Sequence, residues 1–209
     1  MILLAVCTGS PSPVAAKSGM TGHRKVAEPG AVAVGPLGLA GDSIVDTRHH
    51  GGPDQAVYLV GEVDRLWWQD ALGRTLPPGW LGENLLIDGI ATGTLCLGDR
   101  LQVGAVLLEI TAPRTPCATF ASVTGRADAI NMFFDAARPG AYARVLQPGT
   151  VRAGDSVTRT PFPGARISLA ENLAATRAGL RDAAFLARAL SVPAHAELHR
   201  IARARLAKG

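Results

Sequence analysis

Residues 105–119, AVLLEITAPRTPCAT, hold the side chains best placed for chemistry. Cys117 follows Arg114 by three residues, in a segment that Pro113 and Pro116 make stiff. A thiol near a guanidinium is pushed toward thiolate, the form that attacks electrophiles or binds soft metals. A free cysteine is otherwise a small buried hydrophobe. Cys7 and Cys96, set in the apolar runs ILLAVC and TLCLG, read as that kind. A second stretch runs Arg48-His49-His50-Gly51-Gly52-Pro53-Asp54. Three potential cations ahead of two glycines suit an anion- or cofactor-facing loop, because Gly51 and Gly52 permit positive φ and close backbone approach. Adjacent His49 and His50 point to opposite faces of an extended chain, so one site takes only one of them easily. A third stretch, rich in Pro, Gly and Ser, adds Lys17-Ser18, His23, Arg24 and Lys25. These cations either receive an anion or sit solvated on a loop.

Periodicity supplies the elements that must position these groups. Val106, Leu108 and Ile110 alternate with Leu107, Glu109 and Thr111, which predicts a strand with one buried face, ended by the prolines. Residues 2–7, 31–34, 56–60, 85–87 and 142–146 read as further strands, and residues 151–158 as two short pieces. Residues 94–97 and 100–103 read as a hairpin about Gly98-Asp99. Val63, Leu66, Trp67 and Ala71 mark a helix ended by Gly73, and Ile130, Phe133, Phe134 and Ala137 another ended by Pro139-Gly140. Beyond Pro161 and Pro163 the pattern turns helical. Ser168 and Glu171 form a capping box, and further helices are expected near 181–190 and 194–207. The fold expected is mainly β: a barrel with short peripheral helices over residues 1–163, then a small three-helix appendage over 164–209, which the Pro161/Pro163 linker and the shift in charge mark as separable.

At 209 residues, with 47% hydrophobic and 18% charged side chains, the chain has a globular composition and enough length for a full core. Three widely spaced cysteines exclude a disulfide framework and a C-x-x-C zinc site, and suit a reducing cytoplasm. No apolar run reaches the length of a membrane span. The apolar start lacks the basic lead-in and cleavage site of a signal peptide. Residues 1–163 carry 13 Lys/Arg against 14 Asp/Glu, and residues 164–209 carry 8 against 3. The basic character thus belongs to the tail, where no interleaved aromatics suggest base stacking, which argues against nucleic acid as a partner.

Several of these residues occur together in a known order. Gly41-Asp42, His49 to Ala56, Gly82-Glu83-Asn84-Leu85, Gly98-Asp99, Pro113-Arg114-x-Pro116-Cys117, Arg144 to Gly149 and Ala153-Gly154-Asp155 follow one another as in the MOSC domain, named for the C-terminal part of molybdenum-cofactor sulfurase. The chain resembles that family over roughly residues 1–160. Its helical tail resembles the YiiM-like branch, linked to resistance against N-hydroxylated base analogues such as 6-hydroxylaminopurine.

The resemblance implies a β-barrel and a molybdenum cofactor (molybdopterin), with Cys117 as metal ligand or persulfide carrier. It implies an enzyme that reduces a small N-hydroxylated substrate, with a separate reductase as electron donor, since no Rossmann or iron–sulfur motif is present. Arg48, Arg114 and Lys17-Ser18 would hold the cofactor's phosphate and pterin, beside His50, Gly51 and Gly52. Asn84, His49 and Asp54 would form the polar rim, with His49 and Asp54 as catalytic candidates and a histidine delivering the proton that departing water requires. The alternative is a sulfur carrier holding a persulfide on Cys117. A homodimer is compatible with either reading.

Overall fold

The computed structural model describes residues 1–15, 19–47 and 50–208. Its strands are β1 (Ile2–Thr8), β2 (Ser12–Pro13), β3 (Met20–Thr21), β4 (Val26–Ala27), β5 (Val32–Gly35) and β6 (Gly38–Leu39). They continue with β7 (Val57–Gly61), β8 (Leu85–Asp88), β9 (Arg100–Val103), β10 (Val106–Ala112), β11 (Ala141–Gln147), β12 (Gly149–Val151) and β13 (Val157–Thr160). The helices are α1 (Glu62–Leu72), α2 (Ala118–Thr124), α3 (Ala129–Ala136), α4 (Leu169–Arg177), α5 (Ala183–Ala189) and α6 (Ala196–Leu206).

Eight strands form one sheet in the order β13-β9-β10-β11-β7-β8-β1-β4, antiparallel except for the β7–β8 pair. The sheet curls until its ends approach: Ile2 bridges to Ser156, and the Val157 N–H donates to the Met1 carbonyl at 2.9 Å. The predicted barrel-like β fold is therefore observed. Two small sheets, β12-β5-β6 and β2-β3, lie beside it.

β10 lies inside the sheet, between β9 and β11. Val106, Leu108 and Ile110 are fully buried, but Glu109 and Thr111 on the other face are buried as well. Arg144 of β11 meets that face. Arg144 pairs with Glu109, and the His195 N–H donates to the Thr111 carbonyl at 2.9 Å. The register with β11 shifts between Ile110 and Ala112, a bulge that bends the strand just before Pro113 and re-aims the chain toward Arg114 and Cys117.

One expected hairpin is corrected. β9 turns into β10 through Gly104-Ala105, not into residues 94–97. Cys96 bridges to Ser168, because the Asp99 carboxylate accepts from the Cys96 N–H and draws the tail linker alongside. Half of the expected capping box forms: the Glu171 N–H donates to Ser168 Oγ at 3.1 Å, while the Glu171 carboxylate pairs with Arg188 instead of returning to the Ser168 N–H. Three helices follow the linker, as periodicity predicts. Their apolar faces do not stand apart: Ile167, Leu169, Phe185, Leu186, Ala189, Val192, Ala194, Leu198 and Ala202 share one buried cluster with Leu101, Val106 and Leu108 of the sheet.

Candidate functional site

Helix α2, which periodicity did not predict, begins immediately after Cys117. Phe120 buries fully against Trp68 and Phe133, with ring centroids 5.4 and 5.1 Å away. Such pairs contribute about 0.5–1.5 kcal/mol each beyond area burial, so the first turn of α2 is pinned to α1 and α3. Gly125 ends the helix with φ 69°. Cys117 stands at the N-cap in extended conformation, half-buried, at the wall of a cleft of about 140 Å3. That space suffices for a small molecule, since one water needs roughly 10–15 Å3 by the same measure.

Burial is the largest single influence on the Cys117 thiol and pushes it up. A hydrogen bond from His50, the amides of Phe120 and Thr119, and the charge of Arg114 together outweigh it and bring the pKa down from 9.0 to about 6. The amides act without closing a full capping bond. At neutral pH the sulfur is a thiolate. Cys7 is the opposite case: burial, with the Glu83 carboxyl adding to it, pushes its thiol up to about 12.

Arg114 is 7% exposed. Its Nη1 donates to the Leu81 carbonyl at 2.5 Å, its Nη2 lies 3.2 Å from His23 Nδ1, and its plane faces the rings of Tyr58 and Phe120. No carboxylate among the described residues pairs with it, although a buried charge ordinarily requires one. His23 is held well below its ordinary pKa, by burial first and by Arg114 and Lys25 next, so its ring is neutral and Nδ1 accepts from the guanidinium. Gly82 makes room for this ring: a Cβ there would meet His23 Nδ1 at 2.5 Å.

Around this pair the polar groups are mostly spent on one another. Asp42 Oδ1 accepts from the Gly9 N–H at 2.9 Å and pairs with Lys25, and Asp42 Oδ2 accepts from Asn84 Nδ2 at 2.8 Å. Asn84 also takes the Tyr58 N–H on its Oδ1 at 3.1 Å. Tyr58 Oη donates to the Pro139 carbonyl, with the Tyr142 ring 5.1 Å away. Met20, Ile44 and Val45 supply an apolar rim.

Among the residues expected at the site, Cys117, His50, Gly51, Asn84 and Arg114 do line one cleft. Lys17, Ser18, Arg48 and His49 lie outside the described residues. Gly52 adopts φ 77° and opens a short 3-10 turn over Pro53–Gln55, set back from the cleft wall. Asp54 requires a correction. Its Oδ1 pairs with Arg144 at 2.9 Å and its Oδ2 accepts from the Ala196 N–H at 2.7 Å, so the carboxylate faces the tail and not the cleft. Asn84 lines the cleft through a side chain already engaged inside the protein. Sequence reasoning missed Asp42, Gln55, Tyr58 and Tyr142 as cleft residues. Asp42 and Gln55 stood within the matched motifs, whereas the tyrosines carried no signal beyond strand propensity.

A curled β sheet that presents a thiolate beside a buried arginine defines the class. The MOSC domain model matches residues 46–158, more than half of the chain, and the chain belongs to the MOSC domain family. It is 31% identical over 134 residues to the uncharacterized protein YflK of Bacillus subtilis, covering 64% of this chain and 61% of that one. It is 28% identical over 149 residues to protein YiiM of Escherichia coli, covering 69% and 62%. The matches thus span about three fifths of the length of those relatives. A match to a protein named reductase from Gibberella moniliformis is 28% identical over 143 residues and covers 62% of this chain and 25% of that protein. The crystal structure of YiiM from Geobacillus stearothermophilus superposes with TM-score 0.80 at 24% identity, covering 97% of each chain. YiiM from Escherichia coli gives 0.77 at 21% identity, covering 100% and 94%. The fold is YiiM-like. No helix among the described residues is long and apolar enough to cross a membrane.

Proposed function

We propose that this cleft binds a molybdenum–pterin cofactor through Cys117 and that the protein reduces small N-hydroxylated compounds with electrons from a separate reductase. The observation that carries the reading is the half-buried Cys117 thiolate beside Arg114, a buried cation with no carboxylate partner among the described residues. Those two groups suit the donor set: a soft anionic ligand for the metal and a fixed cation for an anionic appendage. Among the described residues no three metal-ligating side chains converge. In this reading Cys117 is the protein's ligand, and the remaining coordination would arrive with the metal.

When bound, the cofactor supplies two-electron oxygen-atom chemistry. The chain's own residues supply position and protons. Reduction of R–NH–OH to R–NH2 and water consumes two electrons and two protons, and His50, hydrogen-bonded to the sulfur, stands where a proton is exchanged with the cleft. Neutral His23 keeps Arg114 in place without adding a second positive charge beside it. Met20, Ile44 and Val45 would give a substrate's apolar parts a surface at the cleft rim.

The test is metal and pterin content of protein from a cofactor-competent host, read beside reduction of 6-hydroxylaminopurine. Wild type is expected to carry molybdenum and pterin near one per chain. Cys117→Ser is expected to lose both while keeping its fold. Cyanolysable sulfur on wild-type protein without molybdenum would replace this reading by the sulfur-carrier one. Retention of cofactor and wild-type rate by the Ser variant would overturn both.

A further inference from the structure

Tyr58 of β7 and Tyr142 of β11 are paired across the sheet, yet their hydroxyls have different fates. Tyr58 Oη donates to the Pro139 carbonyl at 2.9 Å, and Arg114 reaches the same side chain. Gly140 leaves room for it, since a Cβ there would meet Tyr58 Oη at 2.3 Å. The chain itself occupies this phenol.

The Tyr142 ring packs beside it, with centroids 5.1 Å apart. Its backbone is fixed as well: the carbonyl accepts from Thr111 Oγ1 at 3.1 Å, and the residue pairs with Ala112 at the β10 bulge. Its hydroxyl bonds to no group among the described residues. Nor is it shut away. Among those residues the buried side-chain polar atoms without a partner are His23 Nε2, Gln55 Oε1, Glu83 Oε2 and Arg144 Nε. Tyr142 is partly exposed and lines the cleft, so its hydroxyl keeps surface there. Phenylalanine would offer Tyr58 the same ring and the sheet the same strand, so the oxygen is the one part of this side chain that the fold does not use.

Two charges set the character of that oxygen. Burial pushes the phenol above its ordinary pKa, Arg114 opposes this, and the Cys117 sulfur adds to it. The hydroxyl therefore keeps its proton at neutral pH and stands as a donor. Its neighbours Asn84 and Asp42 are engaged with each other at 2.8 Å. An oxygen acceptor seated at Tyr142 gains the hydrogen bond and the field of Arg114 together.

We propose that Tyr142 contacts the ligand directly, its hydroxyl donating a hydrogen bond to an oxygen of the molecule seated beside Cys117. The proposal rests on the cofactor reading for the identity of that molecule, and the oxygen belongs either to the cofactor or to the substrate.

Tyr142→Phe tests the donor, because it removes the oxygen and keeps the ring. Tyr58→Phe is the structural reference, because it strands the Pro139 carbonyl. Both are to be read by melting temperature, and Tyr142→Phe also by the rate at which pterin leaves the protein and by kcat/KM for 6-hydroxylaminopurine. Tyr142→Phe is expected to melt with wild type, whereas Tyr58→Phe falls by roughly 2–4 °C. Tyr142→Phe is further expected to lose about tenfold in one of the two ligand readouts. Faster pterin release assigns the oxygen to the cofactor. Unchanged release with a lower kcat/KM per loaded chain assigns it to the substrate. Release and kcat/KM both at wild-type values would overturn the proposal. So would a melting temperature that falls as far as that of Tyr58→Phe, since the hydroxyl would then serve the fold. Wild-type protein without pterin or molybdenum would defeat the cofactor reading alone. Calorimetric binding of 6-hydroxylaminopurine to that protein then decides: about tenfold weaker binding by Tyr142→Phe upholds the donor, and equal or absent binding overturns it.

Discussion

Two buried charges in this molecule are treated in opposite ways. Asp99, fully buried, sits where the tail linker crosses the sheet and is saturated with donors. Its Oδ1 accepts from the Phe162 N–H and Arg166 Nη1, each at 2.9 Å. Its Oδ2 accepts from the Cys96 N–H at 2.9 Å and from Arg159 at 2.9 and 2.6 Å. Arg114, also buried, has one carbonyl, one imidazole nitrogen, the Tyr58 side chain and two ring faces, and among the described residues no carboxylate, only the neighbouring thiolate. A charge that the chain itself completes marks architecture. One that the chain leaves open at a cleft marks a place prepared for something else.

The largest effect is expected from removing the tail that Asp99 fastens. Ending the chain before Gly164 would expose the sheet side of the shared cluster to which nine tail residues contribute. Burial of each large apolar side chain is worth roughly 1.5–3 kcal/mol, so the loss rivals a typical total stability of about 5–15 kcal/mol. The truncated chain is expected to be insoluble or to lack a cooperative thermal transition. A soluble, cooperatively melting product would restore the view, drawn from the Pro161/Pro163 linker, that the appendage is separable.

Asp99→Ala is next. It strands Arg159 and Arg166 and frees the Cys96 and Phe162 amides. Breaking a buried pair costs about 3–5 kcal/mol, and the lower end applies because Arg166 is 42% exposed and regains water. Urea denaturation should show about 3 kcal/mol lost, with little change in Cys117 reactivity.

Arg114→Met reverses that pattern. Replacing an incompletely paired buried charge by an apolar side chain of similar volume is expected to leave stability unchanged or to raise it by about 1 kcal/mol. The cost should fall on the thiol. In wild type, alkylation of Cys117 is expected to rise with pH through a midpoint near 6, where the thiolate forms. In the variant the midpoint should move upward by roughly one unit, because the cation favours the charged form. A melting temperature that falls as far as that of Asp99→Ala would erase the contrast between the two charges.

At neutral pH Glu83 gives the smallest effect. Burial, its largest influence, raises this carboxyl from 4.5 to about 7, against the amides of Glu83 itself, Gly79 and Leu81 and the charge of Arg65. Between those two values the folded chain holds a proton that the unfolded chain has released. Stability therefore falls as pH rises through that window and levels off above it. Glu83→Gln keeps the acceptor for the Gly79 N–H and is expected to flatten the slope, a difference of about 2.5 kcal/mol between pH ~5 and ~8. Melting temperatures across that range check it.

What the sequence by itself determined is local. The strand at β10 and the N-cap at Ser168 each depend on a few neighbouring residues, and the structure reproduces them. The order of short motifs was legible too, and it pointed to the family. Tertiary structure alone decided which polar groups remain open. Asp54 looked like a rim residue by its neighbours, yet α6, 142 residues away, claims its carboxylate. Tyr58 and Tyr142 read as ordinary strand residues until β7 and β11 paired and set their rings together. Helix α2 was hidden because its stability comes from Phe120 against Trp68 and Phe133, not from its own composition. The tail read as separable because linker chemistry and charge are visible in a string of residues. The face on which its apolar side chains settle is not, since burial depends on surfaces that meet only when distant segments pack.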